Sequence, residues 1–139
     1  MRFWSTFLIL CLYVGCTPKV SQDSLLYLNG YWEIKEVEFP DGNTKEYKVN
    51  TNLDYIKIDG LVGFRKKVQP KFDGTYITTD DAEPFRILRE DETFALYYKN
   101  ELSAWTERIT SLSEDRFSVI NEDNITYSYT RYVPINAKE

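Results

Sequence analysis

Leu28-Asn29-Gly30-Tyr31-Trp32 is the stretch around which the chain is organised. It stands between a short apolar segment, Leu25 to Leu28, and a run that alternates in the manner of a strand, Tyr31 to Phe39. Gly30 lets the backbone turn tightly into that strand, and Trp32 is the first large side chain on its inner face. Trp32 and Ile34 share one face, whereas Val37 and Phe39 alternate out of phase with them. A slip of one residue predicts a bulge, the usual device for bending a barrel strand. Pro40-Asp41-Gly42-Asn43 then predicts a turn.

Downstream, short runs rich in aromatic and β-branched residues recur, separated by turn residues. They run from Thr44 to Val49, Leu53 to Ile58, Val62 to Val68, and Lys71 to Thr79. They continue from Pro84 to Arg89, Thr93 to Lys99, Leu102 to Leu112, Arg116 to Asn121, and Ile125 to Tyr132. Pro70 lacks an N–H and is expected at an edge or a bulge. No window predicts a long amphipathic helix. The fold class is therefore all-β, a small antiparallel up-and-down barrel of about eight strands. Closure of the ring also removes exposed sheet edges. One helical turn at Leu25 to Leu28 is expected to plug an end of it.

Composition agrees. The chain has 139 residues, suited to one domain, with 42% apolar, 28% charged and 16% aromatic residues. Its net charge of −5 argues against nucleic acid as a partner. The short basic run Arg65-Lys66-Lys67 is read as a solvated strand face. Histidine is missing and both cysteines, Cys11 and Cys16, lie in the first sixteen residues. The folded domain is thus expected to hold no disulfide, no thiolate or imidazole metal site and no cofactor. Carboxylate pairs at Asp80-Asp81, Glu90-Asp91-Glu92, Glu114-Asp115 and Glu122-Asp123 fall where hairpins turn, so hydration accounts for them better than catalysis does. No enzyme activity is expected.

The N-terminus reads as an address. Met1-Arg2 precedes an apolar run, Phe3 to Val14, too short to span a bilayer but suited to a secretory signal. Gly15-Cys16 ends it and resembles the processing site of a bacterial lipoprotein, although Tyr13 stands where that pattern usually has Leu. That resemblance implies a signal peptide over residues 1–15, lipid on Cys16, a lipidated tether over 16–24 and a domain over 25–139. The expected location is the bacterial cell envelope, at the outer membrane, with the membrane as a partner through the lipid. Asp23-Ser24-Leu25 resembles a short O-glycosylation site of the Bacteroidota, and a helix N-cap explains it equally well.

Gly30-Tyr31-Trp32 also resembles the Gly-x-Trp entry motif of lipocalins, and Arg131, in Tyr129-Thr130-Arg131-Tyr132, stands where that family packs an arginine over the tryptophan. Trp105 to Leu112, with Phe117 and Val119, resembles the C-terminal half of small lipocalin-like lipoproteins of the Bacteroidota. The family's C-terminal helix and its Thr-Asp-Tyr motif have no counterpart. The resemblance implies Gly30, Trp32 and Arg131 as structural residues of the barrel end. The aromatics Phe72, Tyr76, Phe85, Phe94, Tyr98, Trp105, Tyr127 and Tyr129 are candidates for the interior lining. They lead either to a binding site for a small apolar or amphipathic ligand or to a solidly packed barrel. In the second case the surface would serve an envelope protein or a glycan.

Overall fold

The structure, a computed structural model, describes residues 20–48, 50–78 and 81–134. The signal segment, Cys16 and Asp80 lie outside the described residues, as do residues 17–19 of the expected tether. The chain enters through a 3-10 turn, Asp23–Leu28, and then forms β1 (Gly30–Glu38), β2 (Thr44–Glu46), β3 (Leu53–Asp59), β4 (Val62–Pro70) and β5 (Tyr76–Thr78). The remaining strands are β6 (Glu83–Glu90), β7 (Thr93–Lys99), β8 (Ala104–Leu112), β9 (Arg116–Asn121) and β10 (Thr126–Arg131). All described pairings are antiparallel. Eight strands run in the order β1-β3-β4-β6-β7-β8-β9-β10, and β10 returns to pair with β1, which closes the ring. The fold is an all-β, up-and-down barrel of eight strands.

The two short strands are additions at one end. The start of β1 pairs with β3, but its last residues, Glu36 to Glu38, pair with β2. Likewise β4 pairs with β6 through Val62 to Arg65 and with β5 through Val68 to Pro70. The ring therefore splays at the end that carries the β9–β10 turn, and Pro70 sits at a strand end where only β5 faces it. The bulge expected in the first strand is present, between Ile34 and Glu36 in the pairing with β10. The strand expected from Lys71 to Thr79 is only Tyr76–Thr78. Lys71 N–H bonds to Thr75 O (2.8 Å), and Thr75 N–H bonds to Asp73 Oδ1 (2.9 Å), so the side chain of Asp73 holds a turn there instead.

The opposite end is closed by a connected set of contacts. Leu25 and Leu28 of the 3-10 turn are buried in the core. Trp32, fully buried, donates its indole N–H to Leu28 O at 2.9 Å. The Arg131 guanidinium lies 4.3 Å from the centre of the Trp32 ring, a cation–π contact. It donates to three carbonyls: Nε to Glu114 (2.6 Å), Nη1 to Asn29 (2.8 Å) and Nη2 to Tyr27 (2.6 Å). These are charge-assisted bonds to backbone groups that the sheet does not satisfy. Gly30 has φ +129, and a Cβ there would run into Arg131 Nη1. Only glycine fits both the backbone and the guanidinium.

Trp32→Ala should cost about 3–5 kcal/mol, as for other large buried aromatics. Arg131→Ala should cost less, and a double-mutant cycle in urea should show coupling of about 0.5–3 kcal/mol. Arg131→Lys should not restore the loss, since an ammonium cannot reach three divergent carbonyls and cover a ring. Strictly additive losses would contradict this description of the barrel end.

Candidate ligand-binding site

An aromatic column rises from the closed end into the barrel. Trp32 meets Phe117 edge-on, with ring centres 4.6 Å apart and planes at 87°. Phe117 stacks on Tyr129 at 4.6 Å and 11°. Such edge and offset arrangements suit the ring quadrupoles. Phe94, Ile109 and Val119 pack into the same core, with Phe85 against Tyr98 at 5.4 Å. Above Tyr129 the packing stops.

Arg65 caps the column. It lies 5.0 Å from the centre of the Tyr129 ring, and its Nη2 donates to the Tyr129 hydroxyl at 2.6 Å. Its Nη1 reaches the Tyr98 hydroxyl at 3.5 Å. Asp54 Oδ2 stands 3.3 Å from Nη2 and Glu107 Oε2 stands 3.6 Å from Nη1. Lys67 Nζ completes the cluster, 2.7 Å from Asp54 Oδ1 but off the hydrogen-bonding direction. Asp54 is 3% exposed, so that oxygen is buried with a charge partner and no aligned donor. Asp54 is buried and Arg65 largely so, which is costly to desolvate and must be offset by their geometry, whereas the Lys67 side chain is mostly exposed.

The strands place these groups by simple alternation. Asp54 and Ile56 face inward on β3, and their register partners on β4 are Lys67 and Arg65. Glu107 lies between Trp105 and Ile109 on the inner face of β8, and Trp105 pairs with Tyr98 across to β7. Arg65, expected on a solvated face, is therefore inside. Lys66 does lie outside, over the rings of Tyr55 and Phe64. The sequence signal was present in both cases. A charged residue at every second position of an otherwise apolar strand face marks an inward charge once the face is known.

Over this charged floor a cavity of about 570 Å³ opens at the splayed end. Tyr98, Trp105, Tyr127 and Tyr129 of the expected lining residues form its aromatic wall, Tyr98 and Trp105 stacked at 5.1 Å and 6°. The other four lie elsewhere. Phe85 and Phe94 belong to the packed core nearer the closed end. Phe72 is fully exposed at the tip of the Lys71–Thr75 turn, because the expected strand is a turn there. Tyr76 lies against Tyr31, 4.3 Å away and nearly parallel, beside a smaller groove of about 240 Å³ shared with Phe72 and Tyr132. Asp54, Arg65, Lys67 and Glu107 line the cavity without having been candidates. Among the described residues no His, Cys, Asp and Glu side chains group as a set of three or more metal ligands.

The ionisation of the floor follows from its geometry. Burial works to raise the Asp54 pKa, but Arg65 and Lys67 outweigh it and hold the carboxyl below its usual range. Burial raises Glu107, which Arg65 only partly offsets and the Asp54 charge reinforces. Burial pushes the Tyr98 hydroxyl up to about 12 and raises Tyr129 further, although Arg65 opposes both shifts. Arg65 stays charged: burial disfavours its cation, and the surrounding tyrosine oxygens and carboxylates more than compensate.

Arg65→Met should destabilise the barrel by about 3–5 kcal/mol at neutral pH, because it leaves the buried Asp54 and the partly buried Glu107 carboxylates with Lys67 alone. The loss should shrink in acid as those carboxyls take up protons. In the unmodified protein Tyr98 has a raised folded pKa, so its contribution is complete below about pH 10 and is lost between about pH 10 and 12. Urea unfolding across pH reads both, and an Arg65→Met loss independent of pH would contradict the cluster.

No protein-family model matches the sequence, and no curated protein matches it significantly. Among solved structures the chain is similar to a lipocalin-like protein from Bacteroides uniformis ATCC 8492, at 11% identity and a TM-score of 0.49, over 76% of this chain and 99% of that one. It is also similar to apocrustacyanin C1, at 11% identity and a TM-score of 0.45, over 85% of this chain and 72% of that one. By its own topology, a closed eight-strand up-and-down ring with one end plugged by an N-terminal turn, the chain has an all-β, lipocalin-like fold.

Proposed function

We propose that the barrel binds one small amphipathic molecule in the cavity at its open end. The observation that carries this reading is the cavity itself, about 570 Å³, within the range of small-molecule sites. An apolar body would lie against Trp105 and Tyr127, and a polar group would turn toward Glu107 and Lys67. A pure hydrocarbon fits the floor poorly, since it would strip water from charged groups without replacing its hydrogen bonds.

The same reading makes the protein a lipid-anchored component of the bacterial cell envelope, attached through Cys16 and held at the outer membrane. The support is the apolar run that ends in Gly15-Cys16. The chain enters the barrel at the closed end, where Val20 packs against the core and the Asp23–Leu28 turn follows. An anchor at Cys16 would then attach to the end opposite the mouth. Mass spectrometry of the membrane fraction should find an acylated N-terminal Cys16, and a soluble protein beginning elsewhere would contradict the anchor.

One observation favours a second reading, an accessory lipoprotein that meets a protein or glycan partner through its outer surface. Phe72 is fully exposed beside the groove at Tyr76 and Tyr132. Isolated exposed aromatics are common, whereas a cavity of this size above a built floor is not, and we favour the cavity.

Binding of the neutral fluorophore N-phenylnaphthylamine separates the two. The cavity reading expects saturable binding with transfer from Trp105. It expects Trp105→Ala to weaken binding about tenfold, equivalent to about 1.4 kcal/mol, and Phe72→Ser to leave it unchanged. No binding, or binding lost only in Phe72→Ser, contradicts the cavity reading.

A further inference from the structure

The cavity is lined by six carboxylates and three cations. Of the three, Lys66 turns outward over Tyr55 and Phe64. Arg65 is shared between Asp54 and Glu107, and Lys67 is held at 2.7 Å by Asp54. Both inward cations are thus already matched by carboxylates of the wall. An incoming anion would have to displace Asp54 or Glu107 from Arg65 and then lie beside them, which like-charge repulsion opposes.

The rest of the lining is negative. Asp81 and Glu83 stand where the chain enters β6, and Glu122 and Asp123 form the β9–β10 turn. In the order of the ring β6 lies across the barrel from β9 and β10, so the two acidic pairs flank the mouth from opposite sides. Among the described residues none of these four has an ion-pair partner. Between them and the floor stand the rings of Trp105 and Tyr127, whose faces carry the negative part of an aromatic quadrupole. A mouth lined by one sign of charge above a low-dielectric wall concentrates ligands of the opposite sign.

Resting on the cavity reading, we infer that the site selects organic cations, meaning an amine or quaternary ammonium carried on an apolar body, and discriminates against carboxylate amphiphiles. The aromatic wall takes the body and the uncompensated carboxylates take the charge. Glu107, the inward carboxylate least matched by Arg65, is the nearest partner from the floor. The four acidic residues of the mouth supply the rest of the field.

Three probes with one body and three charges test this on the full chain: naphthylmethylamine, naphthalenemethanol and naphthoate, titrated near neutral pH and followed by tryptophan fluorescence. The ammonium probe should bind more tightly than the alcohol and at least about tenfold more tightly than naphthoate. The preference should fall as salt is raised, because the mouth is exposed. Replacing Glu83 and Glu122 by Gln and Asp123 by Asn should reduce the ratio of ammonium-probe to alcohol affinity severalfold, and an unchanged ratio overturns the inference. Equal binding of all three probes, or tighter binding of naphthoate, overturns the inference and leaves the cavity reading intact. Failure of all three, the neutral alcohol included, overturns the cavity reading and this inference with it.

Discussion

The Arg131 guanidinium is the contact on which the rest of the barrel depends. It covers the Trp32 ring and binds three carbonyls from separate parts of the chain: the N-terminal turn at Tyr27, the strand entry at Asn29 and the β8–β9 connection at Glu114. In doing so it fixes the first strand against the last and presses the Leu25 and Leu28 side chains into the end of the ring. Trp32 then orients Phe117, and Phe117 orients Tyr129. The large apolar residues are used up in closing one half of the barrel. The other half is left with a polar floor, an aromatic wall and an opening.

The floor is built from the same column. Tyr129 offers its ring and its hydroxyl to Arg65, so the upper arginine is positioned by the stack that the lower arginine anchors. A buried ion cluster is seldom the most stable way to fill a barrel, and well-packed apolar residues at Asp54, Arg65 and Glu107 would stabilise it as well or better. What the cluster adds is a surface that water and a ligand's polar group can meet, held rigidly between two tyrosines. Residues that cost stability and line a cavity are where function is expected to have selected against packing.

Much of this was legible in the sequence, for reasons that differ from residue to residue. Strand number, the bulge after Ile34 and the turn at Pro40 to Asn43 follow from alternation and local turn chemistry, which act within a few residues. Tyr98, Tyr127 and Tyr129 sit in strands that alternate regularly, and Trp105 precedes the irregularity of β8 after Ile109, so the alternation places all four on the inner face. Phe72 could not be placed, because Asp73 and Gly74 turn the chain where β-formers on either side suggest a strand. The Asp54–Arg65–Glu107 cluster needed more than one strand. Arg65-Lys66-Lys67 reads as solvated until the pairing of Ile56 with Arg65 fixes which of the three points inward, and Glu107 acquires its partner only when the ring closes. Long-range register, and not propensity, carries that information.

A crystal structure of the protein that resolves ordered solvent tests the central claim most directly, that one half of the barrel is packed and the other is an open, charged cavity. The account predicts Arg65 between Asp54 and Glu107 with ordered water above it, hydrogen-bonded to Asp54 Oδ1 and to Glu107. Trp105 and Tyr127 folded down over Arg65, with the interior dry and filled, would contradict it.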